Sequence, residues 1–257
     1  MKSKIRGFLD QFNFREKMKW HIGIERERFI VNHDGLVVPK AKEFLEAIND
    51  PLWTNELSAC QVEDRTAPND DIGRVFMALK RNDEGGQKIA KKTRLALAKM
   101  EVGPPDMPTK IFPSDRYRQI KQSVSPEQLL AACRVAGTHV HIGMANLKEC
   151  ITAYNILRKY LDYFCKLGDH SNGERLRLYK TMAKNWVPPE IKDAENFFEI
   201  AEKNSFVEDP RNCHWLIRIS AHGTVELRMF GSYNYLSEVT DYAGMAVLAL
   251  LDNGFNR

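Results

Sequence analysis

The sequence lacks the features of several protein classes. Its five cysteines are odd in number and have no Cys-x-x-Cys spacing. This argues against structural zinc and a disulfide framework and favours a reduced, cytoplasmic setting. No apolar run approaches the roughly 18 residues that a membrane-spanning helix needs. The basic residues Lys2, Lys4 and Arg6 are not followed by the apolar stretch of a secretory signal. We therefore expect a cytoplasmic protein.

Linkers and extreme charge are also absent. No Gly/Ser-rich or Pro-rich segment divides the 257 residues, so we expect a single domain, residues 1–257. With 43% hydrophobic residues, the chain can bury one substantial core. The formal net charge of +4 is small and does not indicate nucleic-acid binding.

Three segments far apart in the chain, residues 21–29, 138–143 and 224–230, have polar groups on one face of a strand pattern. Side chains alternate between the two faces of a strand. The pairs that point the same way are Glu25 with Glu27, His139 with His141, and Glu226 with Arg228. Clustered carboxylates cost stability unless a metal or base neutralises them. The pattern therefore predicts a metal-dependent enzyme.

The polar faces also indicate the fold class. Helical segments separate the strands, but these strands are not apolar on both faces, as those of a buried parallel sheet are. We predict an α+β fold with a curved, largely antiparallel sheet, a concave catalytic face, and helices packed on the other side. The expected elements include a strand at 20–31, helices at 69–100 and 147–168, and a hairpin that joins 213–220 to 224–230.

The hairpin register decides whether Arg218 can act together with Arg228. A two-residue turn at His222-Gly223 would place the two arginines on opposite faces of the sheet. A three-residue turn, residues 222–224, would pair Arg218 with Arg228 and keep both on the site face. We predict the three-residue register or an equivalent bulge.

The carboxylates and arginines suggest the ligands. Carboxylate-rich sets suit hard divalent cations such as Mg²⁺ or Mn²⁺. Arg218 and Arg228 are fixed cations that can neutralise charge on phosphate oxygens. Because clustered carboxylates repel without a metal, we expect the metal-free protein to tolerate or gain from loss of the Glu226 charge. The candidate carboxylates are Glu25, Glu27, Glu63 and Glu226, with Glu56 as a fifth.

Each segment alone also fits a plainer interpretation. Residues 25–28, Glu-Arg-Glu-Arg, would suit a salt-bridged edge strand, since surface ion pairs are common and weak. His139 and His141 would suit polar-face strand residues. Because all three segments have the same polarity pattern, chance explains the three together much less well than it explains any one of them.

The sequence resembles the bacterial carboxylate–amine ligases of the second glutamate–cysteine ligase group, which share the catalytic fold of glutamine synthetase. Order and spacing match over nearly the whole chain. The matching segments are residues 23–27, 56–57, 61–63, 116–117, 137–143, 215–218 and 224–230.

The resemblance implies a role for each matched residue. Glu25, His139 and Glu226 would hold a metal near the ATP phosphates. Glu27, Glu56 and Glu63 would hold a second metal, nearer the substrate carboxylate. The remaining matched residues would contact the reactants. His141 and Arg218 would contact the nucleotide phosphates, and Arg228 the transferring phosphoryl group. Arg116 and Tyr117 would face the substrate. Arg218 and Arg228 would be the catalytic residues.

The implied reaction is ATP-dependent amide-bond formation through an acyl phosphate, with ATP and Mg²⁺ or Mn²⁺ as cofactors. The expected partners are an amino acid or other small carboxylate and an amine, with neither nucleic acid nor membrane; a homo-oligomer is compatible with this. The chain is shorter than typical members and nearer in length to small phage and bacterial amidoligases, which leaves the substrates open. The alternatives are a metal-dependent hydrolase built on His139-x-His141 and a non-catalytic nucleotide- or metal-binding relative.

Overall fold

The computed structural model describes residues 2–232 and 235–256. The strands among them are β1 (Ile22–Val31), β2 (Trp53–Asn55), β3 (Gln61–Arg65), β4 (Ala96–Ala98), β5 (Gly137–Gly143), β6 (Ile217–Ser220) and β7 (Thr224–Gly231). The helices are α1 (Lys2–Leu9), α2 (Ala41–Ile48), α3 (Ile72–Lys92), α4 (Asp115–Ser123), α5 (Pro126–Arg134), α6 (Leu147–Arg158), α7 (Leu161–Leu167), α8 (Glu174–Met182), α9 (Ala194–Lys203) and α10 (Leu236–Asp252).

The strands form one antiparallel sheet in the order β2-β3-β1-β5-β7-β6, and β4 pairs with the end of β1. The predicted α+β class with an antiparallel sheet is confirmed. β1 lies between β3 and β5, so residues 25–28 belong to a central strand and not to an edge strand.

The apolar face of the sheet carries the main core. Val140, Val225 and Leu227 are completely buried there, as the alternation of side chains predicts. Helices α3, α6, α7 and α10 pack against the strands on this side. Helices α4, α5 and α8 border the opposite, polar face. Among the helices of the described residues, none combines the length and apolar composition needed to cross a bilayer.

Two predicted helices are shorter or divided. The helix expected at 69–100 begins at Ile72 after the Asp71 cap and ends at Lys92. Arg94 then takes a positive φ of 56°, and residues 96–98 pair with β1 as β4. The helix expected at 147–168 is two helices, α6 and α7. Such ends depend on tertiary pairing, which outweighs local helix preference.

The β6–β7 hairpin turns through residues 221–223, where Gly223 has a φ of 74° and its N–H donates to the Ser220 carbonyl over 2.9 Å. Arg218 pairs with Glu226. The predicted pairing of Arg218 with Arg228 is therefore wrong by two residues. Because that shift is even, Arg218, Glu226 and Arg228 still share one face, as we predicted.

Gly223→Ala should destabilise the fold. A Cβ at residue 223 would lie 2.4 Å from the Asn13 carbonyl oxygen, and the positive φ strains any larger residue by about 1–3 kcal/mol. Urea unfolding measures the loss. Gly244→Ala, in open space within α10, is the control and should gain about 0.5–1 kcal/mol. Equal unfolding midpoints for the two variants would contradict the turn assignment.

The back face of β1 is charged as well. Arg26 and Arg28 are buried there, and Arg26 Nη2 lies 2.7 Å from Asp64 Oδ2 on β3. Asp83 of α3 accepts a hydrogen bond from each arginine over 2.9 Å. Burial disfavours the Asp83 carboxylate, but the charges of Arg26 and Arg28 outweigh burial and lower its pKa. The network ties β1 to both β3 and α3.

Asp83→Asn should lower the free energy of unfolding at pH 7 by about 2 kcal/mol, since it leaves buried arginines short of countercharge. A lowered folded-state pKa gives stability that is present above the unfolded value, about 3.9, and is lost as pH falls through the folded value. The difference between the two proteins should therefore shrink below about pH 4. Unfolding curves from pH 3 to 7 check this, and a constant difference would contradict it.

Candidate active site

The strand register brings the predicted ligand residues onto one face. Glu25 lies opposite His139 in the β1–β5 pair, and Glu27 lies opposite Glu63 in the β1–β3 pair. Glu226 lies between His141 on one neighbouring strand and Arg218 on the other. Glu56 follows β2 and reaches the same cluster.

Three overlapping groups each offer ligand atoms within 4.8 Å of one another: Glu25–His141–Glu226, Glu25–Glu63–His139, and Glu27–Glu56–Glu63. The last is the second ligand set that the resemblance implied. For the first set, His139 Nδ1 lies 3.5 Å from Glu25 and 3.9 Å from Glu226. His141, predicted to contact phosphate, lies equally within reach and joins the candidate ligands.

His141 is oriented by Thr224, whose Oγ1 is 2.8 Å from Nδ1. Its other ring nitrogen, Nε2, is 3.3 Å from Glu25 Oε2 and, within the described residues, is buried without a hydrogen-bond partner. Burial opposes a charged imidazole, but the Glu25 and Glu226 charges raise the pKa of His141. Burial and the Arg228 charge instead lower the pKa of His139. His141 therefore favours the protonated, charged form more strongly than His139 does.

Glu226 is completely buried between two arginines. Arg218 Nε donates to Oε2 over 2.7 Å, and Arg228 Nη1 donates to Oε1. Arg218 also donates to the Cys213 carbonyl over 2.9 Å. Burial disfavours the carboxylate, but the two arginine charges outweigh burial and hold the pKa of Glu226 well below its usual range. Glu226 is therefore the counter-ion of Arg218, which lies between the buried residues Ile217 and Ile219 of β6.

The other end of the cluster has excess negative charge. Burial, followed by the charges of Glu25 and Glu56, raises the pKa of Glu63 well above its usual value. Burial and the Glu56 charge also raise the pKa of Glu27. Repulsion of this kind is what a cation would relieve.

Glu63→Gln should stabilise the metal-free protein by about 1 kcal/mol at pH 7. A raised folded-state pKa means that stability is lost as pH rises from the unfolded value, about 4.3, through the folded value. The advantage should vanish below about pH 4. Thermal unfolding in EDTA tests this, with exposed Glu46→Gln as control. A destabilised Glu63 variant would contradict the repulsion.

The cluster lies between two cavities. The larger, of about 730 Å³, is lined by Glu27, Glu63 and Arg228, among others. The smaller, of about 350 Å³, is lined by His141 and Thr224. Glu25 lines both, so two ligands that enter from different sides would meet at the same carboxylate.

Arg116 and Tyr117 line the larger cavity from α4. Arg116 Nη1 is 3.2 Å from Asp209, and the Tyr117 hydroxyl donates to the Asn55 carbonyl over 3.2 Å. Burial and the charges of Glu56 and Glu63 raise the pKa of Tyr117. Both residues therefore lie where a substrate in this cavity would contact them.

Sequence reasoning missed two groups at the site. Asp209, which holds Arg116, caps a short 3-10 helix, Pro210–Asn212, and its Asp-Pro sequence indicates the cap but not the contact with Arg116. Arg175 of α8 is buried at the edge of the larger cavity. In the sequence it lies in the segment Glu-Arg-Leu-Arg-Leu, residues 174–178, and arginine is a residue type that is mostly exposed. No local signal distinguishes it.

Comparison with known proteins supports the resemblance, although no family model matches the chain. Proteins named putative glutamate–cysteine ligase 2-1 from Rubrobacter xylanophilus and Nocardia farcinica are 25% and 27% identical, over 84% and 68% of this chain. A putative glutamate–cysteine ligase 2 from Salmonella typhi is 22% identical over 91% of this chain. These matches cover 62%, 49% and 68% of the respective relatives.

One solved structure has a similar fold across the chain. The bifunctional glutathione synthetase from Pasteurella multocida superposes with a TM-score of 0.60 at 15% identity, over 96% of this chain and 39% of that protein. The resemblance predicted from the motifs is confirmed: the chain is similar in sequence to the putative glutamate–cysteine ligases 2 and similar in fold to a glutathione synthetase.

Proposed function

We propose that the chain is an ATP-dependent carboxylate–amine ligase, similar to glutamate–cysteine ligases, that works through an acyl phosphate. The observation that carries this is the carboxylate cluster shared by two cavities and bordered by Arg218 and Arg228. Phosphoryl transfer to a carboxylate must bring several anions together, and this site combines metal-type ligands with fixed cations. Residues 1–257 would act as one catalytic domain.

The residues fit hard divalent ions. Carboxylate and imidazole donors suit Mg²⁺ or Mn²⁺, and the buried Nε2 of His141, which lies 3.3 Å from Glu25 Oε2, forms no hydrogen bond within the described residues. Glu25 and Glu226, with His139 or His141, would hold one ion. Glu27, Glu56 and Glu63 would hold the other. When bound, such ions neutralise charge on phosphate and carboxylate oxygens.

The chain's own residues would orient the reactants. The nucleotide would occupy the smaller cavity, with its γ-phosphate toward Glu25 and within reach of Arg218 and Arg228. The carboxylate substrate would occupy the larger cavity, beneath Arg116 and Tyr117. Burial opposes the charged form of Arg228, but the charge of Glu226 outweighs burial and raises its pKa well above the usual value, so Arg228 stays cationic. A cation that is already ordered lowers the cost of charge reorganisation during transfer.

The chemistry balances without a protein nucleophile. A carboxylate oxygen of the substrate attacks the γ-phosphorus, the bond to the β–γ bridging oxygen breaks, and ADP leaves. The amine nitrogen then attacks the acyl carbon, the carbon–oxygen bond to phosphate breaks, and the amine loses a proton. The expected products are an amide, ADP and phosphate.

The hydrolase alternative is less well supported. A zinc hydrolase site commonly combines several histidines on one ion. Within the described residues, His139 and His141 fall in different ligand groups, each dominated by carboxylates. The donor set therefore favours Mg²⁺ or Mn²⁺.

The test is ADP formation with ATP, Mg²⁺ and systematically paired amino acids and amines. We expect ADP release that requires both a carboxylate and an amine, and a hydroxamate when hydroxylamine replaces the amine. Nucleotide binding without ADP release for any pair would favour a non-catalytic relative. Zinc-dependent hydrolysis without ATP would favour the hydrolase.

A further inference from the structure

The pairing of β5 with β7 is interrupted in the middle of the site. Thr138 pairs with Phe230, but Val140 pairs with Leu227. One residue of β5, His139, therefore lies opposite two residues of β7, Arg228 and Met229. This is a β-bulge, a feature that redirects side chains and is common beside active sites.

Arg175 contacts both bulge residues through their main chain. Its Nη1 donates to the Met229 carbonyl over 2.7 Å, and its Nη2 donates to the Arg228 carbonyl over 3.0 Å. Its Nε donates to the Ala136 carbonyl, at the start of β5, over 3.1 Å. One guanidinium thus joins the two strands where their register shifts. Its side chain is almost completely buried, at 4% exposure.

Gly137, which follows Ala136, connects Arg175 to the acidic end of the cluster. The N–H of Gly137 donates to Glu27 Oε2 over 2.5 Å. A Cβ added at Gly137 would lie 2.5 Å from Arg175 Nη2 and 3.2 Å from His139 Nε2. The guanidinium therefore packs directly over Gly137, between the bulge and the residues that hold Glu27 and His139.

We propose that Arg175 is a positioning residue that fixes the β7 bulge and thereby sets the orientation of Arg228, His139 and Glu27. Its three acceptors are all main-chain carbonyls, so its fork geometry defines the backbone on both strands. A guanidinium is suited to this because its donors are planar and rigidly spaced. The predicted effect of Arg175 on catalysis rests on the proposed function, whereas its effect on the bulge does not.

The test compares three variants in the full chain. Arg175→Met keeps the volume and removes the donors, whereas Gly137→Ala keeps the donors and displaces the guanidinium. Arg134→Met is the matched control: Arg134 is also buried, and it bonds the Gly103 carbonyl and Glu174 but not the bulge. Amide hydrogen exchange of the metal-free protein, Mn²⁺ affinity by electron paramagnetic resonance, and steady-state kinetics are measured on each.

For Arg175→Met and Gly137→Ala we expect exchange at residues 137–139 and 228–231 to rise about tenfold, as loss of a charge-assisted hydrogen bond implies. Helices α6 and α10 should keep their protection. Mn²⁺ affinity and kcat should each fall about 10–100-fold with little change in KM. Arg134→Met should lower the unfolding temperature without these local changes.

The outcomes separate the two proposals. Unchanged exchange at the bulge in Arg175→Met would overturn the positioning role. A higher KM for the carboxylate substrate with unchanged kcat would also overturn it and would make Arg175 a substrate contact. Faster local exchange and weaker Mn²⁺ binding in a protein without ligase activity would support the positioning role and remove the proposed function.

Discussion

Glu226→Gln should abolish turnover and also destabilise the metal-free protein. The variant keeps the volume of the side chain but removes the charge that faces Arg218 and Arg228. If Glu226 is a ligand of a divalent ion, as we propose, its loss should reduce kcat by at least the roughly 100-fold typical of outer-shell changes. Leaving two partly buried guanidinium groups, 13% and 15% exposed, without their shared carboxylate should cost about 3 kcal/mol. Steady-state ADP formation and urea unfolding in EDTA measure the two effects.

The unfolding measurement distinguishes Glu226 from Glu63. Both are buried carboxylates of the same cluster, yet the pKa of Glu226 is lowered by arginines and the pKa of Glu63 is raised by other carboxylates. The glutamine variants should therefore shift stability in opposite directions. Turnover near wild type in Glu226→Gln would contradict its proposed role as a metal ligand. A change in the free energy of unfolding with the same sign in both variants would contradict the charge assignment.

Arg218→Lys should reduce ATP-dependent turnover by about 100-fold, the loss typical when one oriented donor to a transition-state anion is removed. A lysine keeps the charge but cannot contact Glu226 and the Cys213 carbonyl through one planar group. Mn²⁺ affinity should stay within about threefold of wild type, because the carboxylates that we propose as ligands remain. Kinetics with varied ATP and Mn²⁺ titration check both values.

Arg211→Lys is the matched control for that variant. Arg211 lines the same larger cavity, but its side chain is 66% exposed and its salt bridge is with Asp209. An exposed ion pair contributes little, so this variant should behave like wild type. Unchanged rate and nucleotide affinity in Arg218→Lys would return Arg218 to a structural role as the counter-ion of Glu226.

The alternation of side chains was enough to predict the shared face. Glu25, His139 and Glu226 belong to three strands, and strict period-two alternation orients each one independently of how the strands connect. The alternation also predicted that Arg218 lies on the same face as Glu226 and Arg228, although the residue opposite Arg218 is Glu226 and not Arg228. The register itself depends on contacts from distant segments, because Asn13 donates to the Ala221 carbonyl and Met144 to the Gly223 carbonyl. Local turn preferences carry no information about these contacts.

Charge balance was the least predictable property. The sequence shows a cluster of carboxylates, from which mutual repulsion at Glu226 is the natural expectation. The structure reverses that expectation, because the hairpin places one arginine directly opposite Glu226 and a second two residues along its own strand. Arg175 was missed for a related reason. Two of its three acceptors are carbonyl groups of the bulge, and a bulge has no residue-type signature here.

The two charged faces of β1 have a consequence for how the sheet finds its alignment during folding. A strand with one apolar face is held in register by hydrophobic burial, but residues 25–28 have charges on both sides. A slip of one residue would turn Glu25 and Glu27 toward Asp64 and Asp83 and would move the arginines out of their network. Like charges would then meet on the back face, and misaligned pairing would be penalised. This electrostatic penalty should make β1 less prone to pair in the wrong register. It should also make β1 less prone to edge-to-edge aggregation.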